Sequence, residues 1–126
     1  MATLLERIRR LDGRARDDLR GSVLESVRRL CATRLGSAPA CPTYGLPHSI
    51  HYSATHPDVV PSVPAALREA ILTYEPRLSA IRVEQLPSDD TALHFQITGR
   101  LATGARSRAP IAFRTKLGAG SVRIEG

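Results

Sequence analysis

Apolar positions along the chain follow two different periods. Over residues 3–11, Leu4, Leu5, Ile8 and Leu11 recur at helical spacing among charges, which predicts a short amphipathic helix. Asp12-Gly13 is expected to break it, and a longer helix is expected over about residues 17–35, with Leu19, Val23, Leu24, Val27, Leu30 and Cys31 on one stripe and arginines opposite. Asp17 and Asp18 stand where carboxylates favour a helix start, and Arg28, Arg29 and Arg34 where cations favour a helix end. Residues 36–63 then carry Pro39, Pro42, Pro47, Pro57 and Pro61, which predicts an ordered loop without regular structure beyond short turns. Within it, Pro42-Thr43-Tyr44-Gly45-Leu46-Pro47 sets an aromatic and a leucine around a glycine, the makings of a fixed turn packed on one side.

A further helix is expected over residues 64–75, starting at Ser62 or Val63 with Pro64 in its first turn and showing Val63, Leu67, Ala70, Ile71 and Tyr74 on one face. Pro76 pushes Glu75 out of the helical region, so the chain leaves as an extended segment. From there the period becomes two. Ile81 and Val83, with Gln85, alternate with Arg82 and Glu84. Leu93, Phe95, Ile97, Gly99 and Leu101 alternate with polar residues, as do Ile111, Phe113, Thr115 and Leu117, and a short Val122, Ile124 pair follows Gly118-Ala119-Gly120. Turns are expected at residues 87–90 and 104–108, giving an antiparallel β-meander over residues 78–125. The fold class is therefore α+β: N-terminal helices, then a meander packed against the helix that ends at Glu75, in one domain spanning residues 1–126.

Composition narrows the chemistry. The 126 residues include no tryptophan and only 4% aromatics, so the core has to be aliphatic with Phe95 and Phe113 as its largest members. The formal charge is +6, and every basic side chain except Lys116 is an arginine. The arginines are dispersed, with no run longer than a pair, which argues against a nucleic-acid groove reader. Their planar fork equally suits carboxylates on protein partners. Glu6, Arg7, Arg9 and Arg10 interrupt the first apolar residues, so no signal peptide is expected, and no segment has membrane-spanning length. A cytoplasmic protein with reduced Cys31 and Cys41 is the expectation. Cys41, His48, His51 and His56 share one loop but lack the paired short motifs of a zinc site, so neither a metal nor another cofactor is expected.

Three features occur in order: Tyr44-Gly45-Leu46-Pro47 after a helix ending in Cys31-Ala32-Thr33-Arg34, Glu75-Pro76-Arg77-Leu78 after a helix, and a meander running through Ile111 and Leu117. Together they resemble the TssE family of type VI secretion baseplate subunits, which is similar to a wedge protein of contractile phage tails. That resemblance implies a bacterial, non-enzymatic subunit that joins other baseplate wedge subunits and nucleates the contractile sheath. Its sheet edge would be completed by strands from sheath proteins, with Val122, Arg123, Ile124 and Glu125 as the candidate strand. The alternative class is a basic domain that binds nucleic acid or an acidic regulatory protein.

The tetrad also has a reading of its own. A carboxylate at a helix C-terminus is disfavoured by about 0.3–1 kcal/mol, and Arg77 is near enough to compensate Glu75. The pair is either a solvated one worth well under about 1 kcal/mol or a corner that faces a partner or organises the wedge. Relatives of this family carry a lysozyme-like label, yet glycoside hydrolysis needs two carboxylates across a cleft, one with a raised pKa. Glu6, Glu25 and Glu69 lie on charged helical faces, and Arg77 would lower the pKa of Glu75, so no enzymatic activity and no small-molecule substrate are expected.

Overall fold

The computed structural model describes residues 3–53, 56–88, 91–103, 108–118 and 121–126. Its first element, α1 (Leu4–Ala32), is one continuous helix. It starts on a capping box: the Glu6 amide donates to Thr3 Oγ1 at 3.2 Å, and the Thr3 amide donates to the Glu6 carboxylate at 3.1 Å. The break expected at Asp12-Gly13 is absent, and Asp17 and Asp18 sit inside the helix rather than at its start. A single glycine costs a helix only about 1 kcal/mol, and the Leu, Arg and Ala residues around it restore that. The helix ends at Ala32, three residues earlier than expected, where Thr33 turns extended and its hydroxyl donates to the Arg29 carbonyl at 2.7 Å.

The proline-rich stretch is more regular than expected. It contains α2 (His48–Ser53) and a 3₁₀ turn (Val60–Ser62) that leads directly into α3 (Val63–Tyr74). Pro47 and Pro64 stand at helix starts, where a missing N–H costs nothing. At the far end of α3 the Glu75 amide makes the last helical bond, to the Ile71 carbonyl at 2.8 Å, and Pro76 forbids another turn.

Four strands follow as an antiparallel sheet in the order β1-β2-β3-β4: β1 (Leu78–Leu86), β2 (Leu93–Ala102), β3 (Arg108–Gly118) and β4 (Ser121–Glu125). The expected α+β meander is thus present. The turn residues Asp89, Asp90, 104–107, Ala119 and Gly120 lie outside the described residues. The alternation expected of β2 and β3 holds, with Phe95, Ile97, Leu101, Ile111, Phe113 and Leu117 all buried. They meet Val23, Val27 and Leu30 of α1 and Val63, Leu67 and Ile71 of α3 in one core. Both helices cover the same sheet face.

β1 departs from simple alternation: Leu78 and Ile81 are both buried, Val83 is half-buried and Gln85 is exposed. The register slips between Ser79 and Arg82, leaving Ala80 and Ile81 opposite the single residue Gly99, a β-bulge with Ala80 at φ +51°. Gly99 permits it, because a Cβ there would lie 3.0 Å from the Ser79 carbonyl oxygen.

On the inner face Thr115 is fully buried, and its Oγ1 has no hydrogen-bond partner among the described residues. A buried unpaired hydroxyl costs about 1–3 kcal/mol. Thr115→Val is therefore expected to stabilise the fold by about 1 kcal/mol, read as a rise in the midpoint of thermal unfolding; a lowered midpoint would show the hydroxyl to be satisfied.

Candidate functional site

The Glu75-Pro76-Arg77-Leu78 tetrad turns inward. Glu75 is only 2% exposed, and its carboxylate is gripped by Arg77 in a fork: Nε donates to Oε1 at 2.7 Å and Nη2 to Oε2 at 3.1 Å. The Arg77 amide adds a bond to Oε1 at 3.3 Å, while Nη1 crosses to Ser22 Oγ on α1 at 2.9 Å. Burial pushes the Glu75 carboxyl up, but the hydrogen bonds from Arg77 and the Ser26 hydroxyl, with the guanidinium charge, bring it below the ordinary glutamate value. Arg77 is held above its own ordinary value by the bond to Glu75. The Arg77 carbonyl accepts from the Ala102 amide at 2.9 Å, and buried Leu78 starts β1. This corner fastens α1, α3 and the first strand pair together. A solvated pair, one of the two readings of the sequence, is not what the fold builds.

The Tyr44-Gly45-Leu46-Pro47 loop closes on the end of α1. Leu46 forms a parallel bridge with Arg34: its amide donates to the Thr33 carbonyl at 2.9 Å, and its own carbonyl accepts from the Leu35 amide at 2.9 Å. The Thr33 carbonyl also receives His51 Nε2 at 3.1 Å; a carbonyl can only accept, so that nitrogen carries the proton. Gly45 at φ +117° passes the chain beneath this junction. Tyr44 meets Tyr74 of α3 edge to face, with centroids 5.1 Å apart, and the Tyr74 hydroxyl bonds Thr43. A shallow groove of about 350 Å³ lies alongside, between Leu35, Pro47, Ala66 and Tyr74. Among the described residues no three His, Cys, Asp or Glu side chains could share a metal, and the His48 side chain lies outside them. Cys31 is buried among apolar groups, its thiol pushed up to about 12.

The sheet has two outer strands, β1 and β4, so Val122, Arg123, Ile124 and Glu125 form an edge. A third stretch of edge was not anticipated. β4 pairs only with residues 114–118 of β3, so residues 109–113 have no strand on that side among the described residues. Pro110, a residue confined to edges and bulges, lies within this stretch. Each edge is touched by a helical arginine. Arg28 Nε donates to the Ile124 carbonyl at 3.2 Å, Arg20 Nη2 to the Ala112 carbonyl at 3.3 Å, and Arg68 Nε to the Ile81 carbonyl in the bulge at 3.2 Å. Sequence reasoning missed Arg20, Arg28, Arg68, Ser22 and Ser26. The one signal available was the near absence of lysine, since only a guanidinium reaches so far while staying charged and planar.

Two helices lie across one face of a four-stranded meander whose outer edges carry arginine side chains and, among the described residues, no further strand. The chain belongs to the family of the baseplate wedge protein gp25, whose model matches residues 17–105, well over half of its length. It is similar in fold to a chain of the baseplate complex from the type VI secretion system, with a TM-score of 0.60 and 20% identity, over 84% of this chain and 98% of that one. It is also similar to a Geobacter sulfurreducens protein with a provisional tail-lysozyme description, with a TM-score of 0.58 and 21% identity, over 80% of this chain and 93% of that one. No curated protein sequence matches the chain. The resemblance drawn from the three sequence motifs is thereby met. No helix among the described residues is long and apolar enough to cross a membrane.

Proposed function

We propose that this chain is a baseplate subunit of a bacterial type VI secretion system, acting in the cytoplasm, that joins the wedge and nucleates the contractile sheath by accepting strands from sheath subunits. The observation that carries this reading is the stepped edge formed by β4 and residues 109–113 of β3, beside which no further strand lies among the described residues. Such an edge is the template for β-augmentation. Arg20 and Arg28 hold one carbonyl each along it and yield them to the amide of an incoming strand. The Glu75-Arg77 corner and the Tyr44-Gly45-Leu46-Pro47 loop act behind the edge: they fix α1 against the sheet, so that wedge neighbours meet a rigid body.

The role requires no cofactor and no bond-breaking step. Glu75, the buried carboxylate of the described core, is ionised and forked to a guanidinium, the reverse of the apolar, proton-holding environment that a glycosidase acid needs.

Hydrogen exchange with purified sheath subunits tests the proposal. Amides of β4 and of residues 109–113 are expected to gain protection on mixing, while those of the central strand β2 stay unchanged. Unaltered exchange along both stretches would remove strand addition at this edge.

A further inference from the structure

The core uses only the second half of α1. Leu19 is the first partly buried residue, and every described side chain from Thr3 to Asp18 is exposed, leaving about 22 Å of helix projecting from the body at 1.5 Å per residue. This projection is not polar all round. Leu4 is 73% exposed, Leu5 58%, Ile8 46% and Leu11 64%, an unusual concentration of large apolar side chains in solvent. Leu4, Ile8, Leu11 and Ala15 follow the spacing of four, three and four residues that makes a coiled-coil seam. At 100° per residue that seam points roughly a quarter turn away from the face carrying Val23, Val27 and Leu30, so it does not continue the domain's own packing. The family match begins at residue 17, just where α1 starts to enter the core, which leaves the seam outside the matched region.

Charge indicates what covers it. Arg7 and Arg14 border one side of the seam; Leu5 and the acidic position 12 border the other, with Arg9 and Arg16 beyond them. Arg7, Arg10 and Arg14 also wall a shallow cleft of about 250 Å³ around Leu11. A second copy laid antiparallel would set Arg7 and Arg14 against their own counterparts, and one laid parallel would offer Arg7 a single acidic position, residue 12, and Arg14 only Leu19. A bilayer would ask for a wide apolar face with aromatic anchors, and this segment has a narrow seam and no aromatic residue. We propose that the projecting half of α1 is a docking ridge for a partner's amphipathic helix, one with a Leu or Ile seam flanked by Asp and Glu that pairs with these arginines. This surface is separate from the sheet edges and stands whether or not strands add there.

The test uses the full chain and two synthetic four-heptad helices with identical Leu/Ile seams, one flanked by Glu and the other by Lys. Binding is followed by fluorescence anisotropy. The Glu-flanked helix is expected to bind and the Lys-flanked helix not to, with Ile8→Asp weakening the first by at least about tenfold. The double charge reversal Arg7→Glu with Arg14→Glu is expected to swap the preference. Because these residues are exposed, unchanged thermal melts of the variants confirm that the fold is intact. The proposal is overturned if both peptides bind equally or neither binds. It is likewise overturned if sedimentation shows a dimer that Ile8→Asp dissolves, or if anionic phosphatidylglycerol vesicles or duplex DNA compete the Glu-flanked helix away.

Discussion

Arg77→Ala is expected to cost about 3 kcal/mol of folding stability, the lower end of the range for removing one partner of a buried ion pair. Glu75, 2% exposed in the intact corner, would keep its charge facing only the Ser26 hydroxyl and the backbone amide of residue 77. The cost falls at the lower end because the Arg77 side chain is itself 35% exposed. For a chain of this size, the midpoint of thermal unfolding should drop by about 10 °C. Glu75→Gln should cost less, about 1–2 kcal/mol, because the amide leaves no charge behind and Arg77 can turn to water.

Acid supplies an independent readout. The native Glu75 carboxyl sits below its unfolded value, so the pair's contribution is complete above the unfolded glutamate value of about 4.3 and is lost as pH falls through the lower folded one. In Arg77→Ala only burial and the smaller bonds act on the carboxyl. The carboxyl then loses the guanidinium that holds it down, so protonating it costs the variant less stability than it costs the wild type. The gap between the two should therefore close below about pH 4. A cost under about 1 kcal/mol that stays constant with pH would mean that Glu75 and Arg77 are a solvated pair. In that case the corner could not organise anything.

Some of this was legible from residue order and some could not have been. Period two across Phe95, Ile97, Phe113 and Leu117 specified a one-sided sheet, because a strand shows its face in every second residue. Pro76 specified the end of α3 through a local steric rule. Gly13 was misleading for a reason of magnitude: one unfavourable residue is outweighed by fifteen or so favourable ones, and only a sum over the whole helix reveals it. The bulge at Ala80 carries no local signature, since alanine rarely takes positive φ. It exists because Leu78 and Ile81 must both reach the core, and Gly99 opposite makes room. Least legible were the arginine caps. Arg20 and Arg28 meet carbonyls 92 and 96 residues away, and no periodicity reports which backbone group a long side chain will find.

Gly45→Ala is expected to be as damaging as Arg77→Ala, for a steric rather than an electrostatic reason. At φ +117° a side chain is strained whatever space surrounds it, at about 1–3 kcal/mol. The surroundings are also closed: an added Cβ would stand 2.5 Å from the Thr33 carbonyl oxygen and 2.9 Å from its carbon. Those atoms are backbone and cannot rotate aside. The same oxygen accepts from Leu46 N and His51 Nε2, so moving it breaks two bonds at once and withdraws Leu46, which is fully buried. A combined loss of about 3–4 kcal/mol follows from the strained backbone and the overpacked junction. If the loop merely decorates the surface, its loss should leave the sheet and α1 intact, and amide exchange in β2 and β3 would be unchanged. If it secures the end of α1, protection should fall along residues 27–32 and in β4, which packs on that helix. The edge proposed for strand addition would then lose its support even though no residue of it had been altered. Comparing exchange in Gly45→Ala with that in Leu35→Ala, an exposed neighbour of the same groove, separates a loop that holds the helix from one that only lies against it.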